Sequence, residues 1–228
     1  MKKATIEPEI VTESKIMQFV DTLTKGAMNG LPVSNKFLKM FTKGFASSSD
    51  LAAEYLSNGK YKDNDTRVDA LIKWEAAKCF GVGFLTGLGG FITLPIALPA
   101  DMVATWVVQA RMVGAIAEIY GHSVQESQVQ TSILLCLIGS DMASVLRSCG
   151  VKVVNKVTEN LIKKIPGKVL TEINKRVGFR LLTKFGEKGV INLAKAIPVL
   201  GGGFSGAFDT LSARQVGKFA KGVFRPVP

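Results

Sequence analysis

Apolar side chains recur along this chain with the period of a helix. Ile16, Phe19, Val20, Leu23 and Ala27 share one face, with Lys15, Asp21 and Lys25 elsewhere, which predicts a first helix. Gly30 and Pro32 break it, and a short helix is expected over 37–45. Ser47-Ser48-Ser49-Asp50 offers N-cap side chains for a helix over Leu51–Leu56. The polar stretch 57–65 reads as a loop, with Asp65 as the cap of a helix through Val68, Leu71, Ile72, Ala76 and Cys79. Strand-like alternation never holds for more than four residues, so the expected class is all-α.

The pattern then changes. From Cys79 to Ala100 there is no charge, and from Cys79 to Ala117 only Asp101 and Arg111 carry one. That length passes the test for a membrane-spanning helix. The composition argues against a straight one, because Gly81, Gly83, Gly87, Gly89 and Gly90 are followed by Pro95 and Pro99. Each interior Gly costs ~1 kcal/mol of helix propensity and each Pro ~3 kcal/mol. A close-packed hairpin is the better reading, with one helix to about Gly89 and another over 102–120. Gly87, Gly89 and Gly90 are then structural glycines at close backbone approaches. Gly121 reads as the C′ glycine, and Ser123-Val-Gln-Glu126 as a capping box opening a helix that runs to Cys149-Gly150.

Two amphipathic helices are expected next, over 151–165 and 168–185, the second terminated by Gly186. Its apolar face holds Val169, Leu170, Ile173, Val177, Leu181, Leu182 and Phe185, while Lys168, Lys175, Arg176, Arg180 and Lys184 occupy the rest. A short helix ends at Ile197-Pro198, and Gly201-Gly202-Gly203 leads into a last helix through Phe224. One internal echo stands out. Shifted by 103 residues, Pro95 falls on Pro198, Ala104 on Ala207, and Ala110-Arg111-x-Val113-Gly114-x-x-Ala117 on Ala213-Arg214-x-Val216-Gly217-x-x-Ala220. A true duplication would pack two similar hairpins as a pseudo-symmetric pair.

Charge sharpens the picture. The 228 residues carry a net +11, yet 1–150 hold 14 basic and 14 acidic side chains while 151–228 hold 15 and 4. So one-sided a balance asks for an acidic partner, anionic lipid or nucleic acid. The aromatics of the last third are all Phe and fall mostly on apolar helix faces, so nucleic acid is disfavoured. Three cysteines without CxxC spacing point to a reducing compartment. The two N-terminal lysines are followed by no apolar core of a signal peptide, which places the termini in the cytoplasm.

Little chemistry is on offer. Gly201-Gly202-Gly203-Phe204-Ser205-Gly206 matches G-x-G-x-x-G, but it has no βαβ context and no acidic residue some 20 positions on, so Gly201, Gly202 and Gly203 are read as helix-packing glycines. His122, the single histidine, sits in an interhelical turn where a polar residue is expected, so no metal site and no cofactor are expected. Asp101 reads either as an N-cap or as a polar contact to a ligand headgroup inside the apolar region. Arg111, mid-helix among apolar neighbours, needs a buried carboxylate, a set of carbonyls or a headgroup.

The run GFLTGLGGFITLPIALPADMVATWVVQARMVGAIAEIYGHSVQE, with Asp50-Leu-Ala-Ala-Glu-Tyr-Leu56 before it and Ile197-Pro-Val-Leu-Gly-Gly-Gly-Phe-Ser-Gly-Ala-Phe-Asp209 after it, resembles the EcsC family of bacterial proteins. The resemblance implies a helical, membrane-associated protein linked to an ABC exporter and brings no catalytic residues with it. The expectation is an arm over 1–14 and a single all-α helical bundle over 15–225. A Gly/Pro-rich apolar hairpin forms its centre and a basic helical third its end. The bundle is expected to lie peripherally on the cytoplasmic face of the inner membrane. There it would bind anionic lipid or a membrane transporter without catalysing a reaction, Lys168, Lys175, Arg176, Arg180 and Lys184 making the contact. The competing readings are an integral protein with residues 80–99 inserted, and an enzyme of lipid or peptide metabolism.

Overall fold

In a computed structural model, the periodic segments form helices, five of which pack on one buried helix. The structure describes residues 12–29, 47–86, 100–154, 156–196 and 201–226, with side chains for 12–29, 47–78, 105–154, 156–183 and 210–226. Its helices are α1 (Glu13–Asn29), α2 (Ser48–Ser57), α3 (Asn64–Thr86), α4 (Ala100–Ile119), α5 (Ser127–Ile138), α6 (Met142–Ser148), α7 (Glu159–Lys163), α8 (Gly167–Ala196) and α9 (Gly201–Phe224). No strand occurs among the described residues, and the class is all-α. Every residue from Thr105 to Ala117 is buried, and α1, α2, α3, α5 and α9 all pack on α4. That helix is apolar almost all round because protein covers it all round.

Local chemistry sets the element ends. Ser47 caps α2 in a full capping box: its hydroxyl accepts from Asp50 N at 3.0 Å, and Asp50 Oδ2 accepts from Ser47 N at 3.1 Å. Gly121 closes α4 with φ +87°, and His122 N reaches back to Ala117 O at 3.0 Å. The face predicted for α1 is the buried one, with Ile16, Phe19, Val20, Leu23 and Ala27 all in the core.

Several expectations are corrected. Asp63, not Asp65, caps α3, accepting from Thr66 N at 2.7 Å, and this hydrogen bond holds the Asp63 carboxyl below its usual range. Asp65 instead accepts from the Tyr120 hydroxyl at 2.7 Å and ties α3 to the end of α4. The expected capping box at Ser123 does not form: Glu126 stands at the α5 N-cap with no side-chain bond. The helix expected to run through to Gly150 breaks at Gly139, where φ is +57° and a Cβ would sit 2.9 Å from the Phe219 ring. By length and composition the whole run Ser127–Ser148 could cross a membrane, but 67% of its apolar window is buried as core.

Residues 151–154 and 156–158 are not helical either. Their valines are β-branched, and Val151, Val153 and Val157 alternate onto the core while Lys152, Val154 and Lys156 face out. Gly186 does not terminate α8, which runs on to Ala196, and Gly201–Gly203 lie inside α9 rather than before it. The segment 37–45, the turn of the apolar hairpin and Gly87, Gly89 and Gly90 lie outside the described residues. The hairpin itself holds, since α3 and α4 pack together antiparallel.

The 103-residue echo falls on α4 and α9, which pack against each other. Its matched positions share their fates: Ala110 and Ala213, Val113 and Val216, and Ala117 and Ala220 are all buried. The matched Gln109 and Ser212 touch, Gln109 Nε2 donating to Ser212 Oγ at 3.3 Å. The likeness stops there, because α3 packs on α9 while α8, its counterpart, packs on α1 and α5. Gly217 sits where α9 presses on α3, and a Cβ there would lie 2.7 Å from Ile72 Cγ1. Gly217→Val is expected to cost about 1–3 kcal/mol by overpacking. Thermal unfolding should show the melting temperature falling by at least ~2 °C, on a scale of ~2–4 °C per kcal/mol; an unchanged value would contradict the close approach.

Candidate functional site

Arg111 finds a carboxylate. Its side chain is 5% exposed, and its guanidinium pairs through Nη2 with Glu75 Oε2 of α3, itself 1% exposed. Lys78 Nζ meets the other oxygen, Glu75 Oε1, at 2.6 Å from a half-exposed position. Lys78 lies on the rim of a cleft of about 290 Å³ whose walls include Tyr55 and Tyr61, stacked with centroids 5.8 Å apart. Burial and the nearby Glu75 charge push the Tyr55 phenol up, so it stays protonated. Arg111 was legible as a residue in need of a partner. Glu75 carried a signal that went unread: it lies on the same helix face as Val68, Leu71 and Ile72, which are buried, and so is a carboxylate on a core-facing stripe.

The basic residues of the last third meet acids from elsewhere in the chain. Lys175 Nζ is 2.7 Å from Glu13 Oε2, Arg180 Nε is 3.1 Å from Asp141 Oδ2, and Lys221 Nζ is 2.6 Å from Asp69 Oδ1. Arg225 pairs with Asp65, and Arg176 with Glu172 of its own helix at 2.7 Å. Of the membrane-contact candidates, Lys175, Arg176 and Arg180 are part-exposed and ion-paired with neighbours, and Lys184 lies outside the described side chains. Lys168 stays exposed without an ion pair among the described residues, and so do Lys152, Lys156 and Lys164.

Lys175, Arg176 and Arg180 nevertheless come together. With Ser148 they form the polar wall of a groove of about 360 Å³ between α1, α6 and α8, whose apolar wall is Ile16, Val145 and Phe179. Arg176 Nη1 donates to Ser148 Oγ at 3.3 Å, and the Phe179 ring stays 52% exposed.

The remaining candidates separate from these sites. The helix start at Ala100 puts Asp101 inside the first turn of α4 rather than at the cap, and its side chain lies outside the described residues. His122 is not a simple exposed turn residue: its side chain is 16% exposed, with Nε2 2.9 Å from Phe224 O and Nδ1 3.6 Å from Glu159 Oε1. It fastens the end of α9 to α7. Burial pushes the Cys136 thiol up, far from a nucleophilic thiolate. Among the described residues no three His, Cys, Asp or Glu side chains converge to hold a metal ion.

These features define an all-α protein built around one buried helix, with an ion pair at its centre and a basic groove on its flank. The chain belongs to the EcsC protein family, whose family model matches residues 8–226. No curated protein and no solved structure matches it.

The Glu75–Arg111 pair makes a sharp prediction. Arg111→Ala leaves the buried Glu75 carboxylate to the half-exposed Lys78 alone and should cost up to about 3–5 kcal/mol, whereas replacing both partners by apolar residues of similar volume should restore most of that loss. A cycle of Glu75→Leu, Arg111→Met and the double variant, followed by chemical denaturation, measures the coupling. A near-neutral Arg111→Ala would mean that Lys78 or water satisfies Glu75 and that the Arg111 pair does not hold the core.

Proposed function

We propose that this protein is a non-enzymatic, peripheral component of an anionic membrane face, on the cytoplasmic side, attached through the segment 152–168. One observation carries the reading. Lys152, Lys156, Lys164 and Lys168 are exposed and free of ion pairs among the described residues, and Val154 stands between the first two, 87% exposed. Cations left over after internal pairing can meet lipid without breaking an ion pair, and the exposed apolar side chain between Lys152 and Lys156 suits the headgroup boundary. The contact thus moves from the outer face of α8, where the pattern of basic residues first put it, to the connector and helix start that precede it. A membrane transporter remains a partner suggested by family resemblance alone.

Each Lys or Arg near an anionic surface contributes ~1 kcal/mol. Four would favour the bound state by roughly several hundredfold, at ~1.4 kcal/mol per factor of ten. That supports reversible association and falls short of anchoring. Reversing the charge of all four (Lys152→Glu, Lys156→Glu, Lys164→Glu, Lys168→Glu) is expected to abolish co-sedimentation with vesicles containing phosphatidylglycerol. Wild type should bind them at low salt, ignore phosphatidylcholine vesicles, and release in 1 M salt, where the Debye length is ~3 Å. Binding that ignores lipid charge or salt would overturn the electrostatic attachment and favour insertion of the apolar segment.

A further inference from the structure

None of Lys152, Lys156, Lys164 and Lys168 lines the groove between α1, α6 and α8, and its chemistry is more specific. Two arginines, Lys175 and the Ser148 hydroxyl face an apolar wall of Ile16, Val145 and an exposed Phe179. We infer that this groove binds the phosphomonoester headgroup of a lipid, its phosphate oxygens on Arg176, Arg180 and Lys175 and the start of its acyl chains along Phe179. The inference deepens the membrane reading and rests on it for the lipid source.

The existing pairs argue for a phosphomonoester over a weaker anion. Arg180 meets Asp141 through Nε at 3.1 Å; Arg176 meets Glu172 through Nε at 2.7 Å and Ser148 through Nη1. Neither carboxylate takes a guanidinium fork with both oxygens, so each arginine keeps donors to spend. Glu13 and Glu172 are themselves 67% and 42% exposed, and turn to water at little cost. A phosphomonoester brings about −1.5 to −2 charges and three strong acceptor oxygens, enough to bridge both forks, displacing the exposed Glu13 and Glu172 and sharing Arg180 with the 25% exposed Asp141. A phosphodiester headgroup offers one charge and two free oxygens. The apolar wall gives an alkyl or acyl chain a place that free inorganic phosphate would leave unfilled.

The test compares phosphatidylcholine vesicles doped with phosphatidic acid or with phosphatidylglycerol, matched in surface potential, and calorimetry with glycerol 3-phosphate. Wild type is expected to prefer phosphatidic acid at least fivefold. The pair Arg176→Lys and Arg180→Lys keeps the charge but loses the forks, and should bind phosphatidylglycerol as before while losing the preference. Glu13→Gln releases Lys175 and should raise the affinity for phosphatidic acid. The four-lysine reversal at 152–168 should abolish binding to phosphatidylglycerol vesicles and lower binding to phosphatidic acid vesicles. No headgroup preference, or one that survives the two lysine replacements, overturns the groove and leaves peripheral attachment standing. If wild type binds neither vesicle, the membrane reading and the lipid source fail together. Glycerol 3-phosphate binding that needs both arginines would then support the phosphate chemistry, and its absence would overturn that too.

Discussion

A guanidinium placed in the middle of a helix that protein surrounds on every side has to meet a carboxylate, and Arg111 meets Glu75. The demand is geometric as well as electrostatic. In a low-dielectric interior an unmatched charge is costly enough that few rotations and registers of α3 against α4 are tolerable. The neighbouring contacts agree with the one adopted: Asn64 Nδ2 donates to Ile119 O at 2.8 Å and Tyr120 to Asp65 at 2.7 Å, fixing the opposite end of the same helix pair. With α3 set on α4, α9 lies along both, and Lys221 and Arg225 at its end reach Asp69 and Asp65 at the start of α3.

The same economy of charge runs through the molecule. The sequence segregates its basic excess into 151–228, and folding returns much of it to the acids of the first 150 residues, through Glu13, Asp65, Asp69 and Asp141. Part of the acidic partner that the imbalance called for is therefore the protein itself. What remains for an outside partner among the described residues is a set of exposed cations without ion pairs, Lys152, Lys156, Lys164 and Lys168 among them with Lys60, Lys62, Lys73, Arg147, Arg214 and Lys218, and a groove in which exposed carboxylates engage Lys175 and Arg176 and the part-buried Asp141 engages Arg180.

The internal echo shows how far a sequence likeness reaches into structure. On α4 and α9 the matched alanines and valines are buried alike, and Gly114 and Gly217 both stand where a Cβ would come within 3 Å of a neighbouring helix's side chain. Arg111 and Arg214, also matched, part company, one buried in an ion pair and the other exposed. The shared positions are those that face a helix neighbour. The arginines differ because only α4 is covered on all sides.

Helix identity, the buried faces of α1 and α8, the Ser47 cap, the Gly121 stop and the need of Arg111 for a counter-charge follow from spacing and residue chemistry, since each depends on neighbours within about a turn. Other features were decided by contacts between segments far apart in the chain. The break at Gly139 depends on the ring of Phe219, the non-helical path of 151–154 and 156–158 on a core that accepts Val151, Val153 and Val157, and the burial of Glu75 on the position of α4. The candidate site divides the same way. That Lys168, Lys175, Arg176 and Arg180 are basic and lie off an apolar face was plain from the periodicity. That three of them are paired and line one groove, while Lys152, Lys156 and Lys164 stay open, is a fact of the tertiary fold, because an ion pair is set by which acid the packing brings within 4 Å.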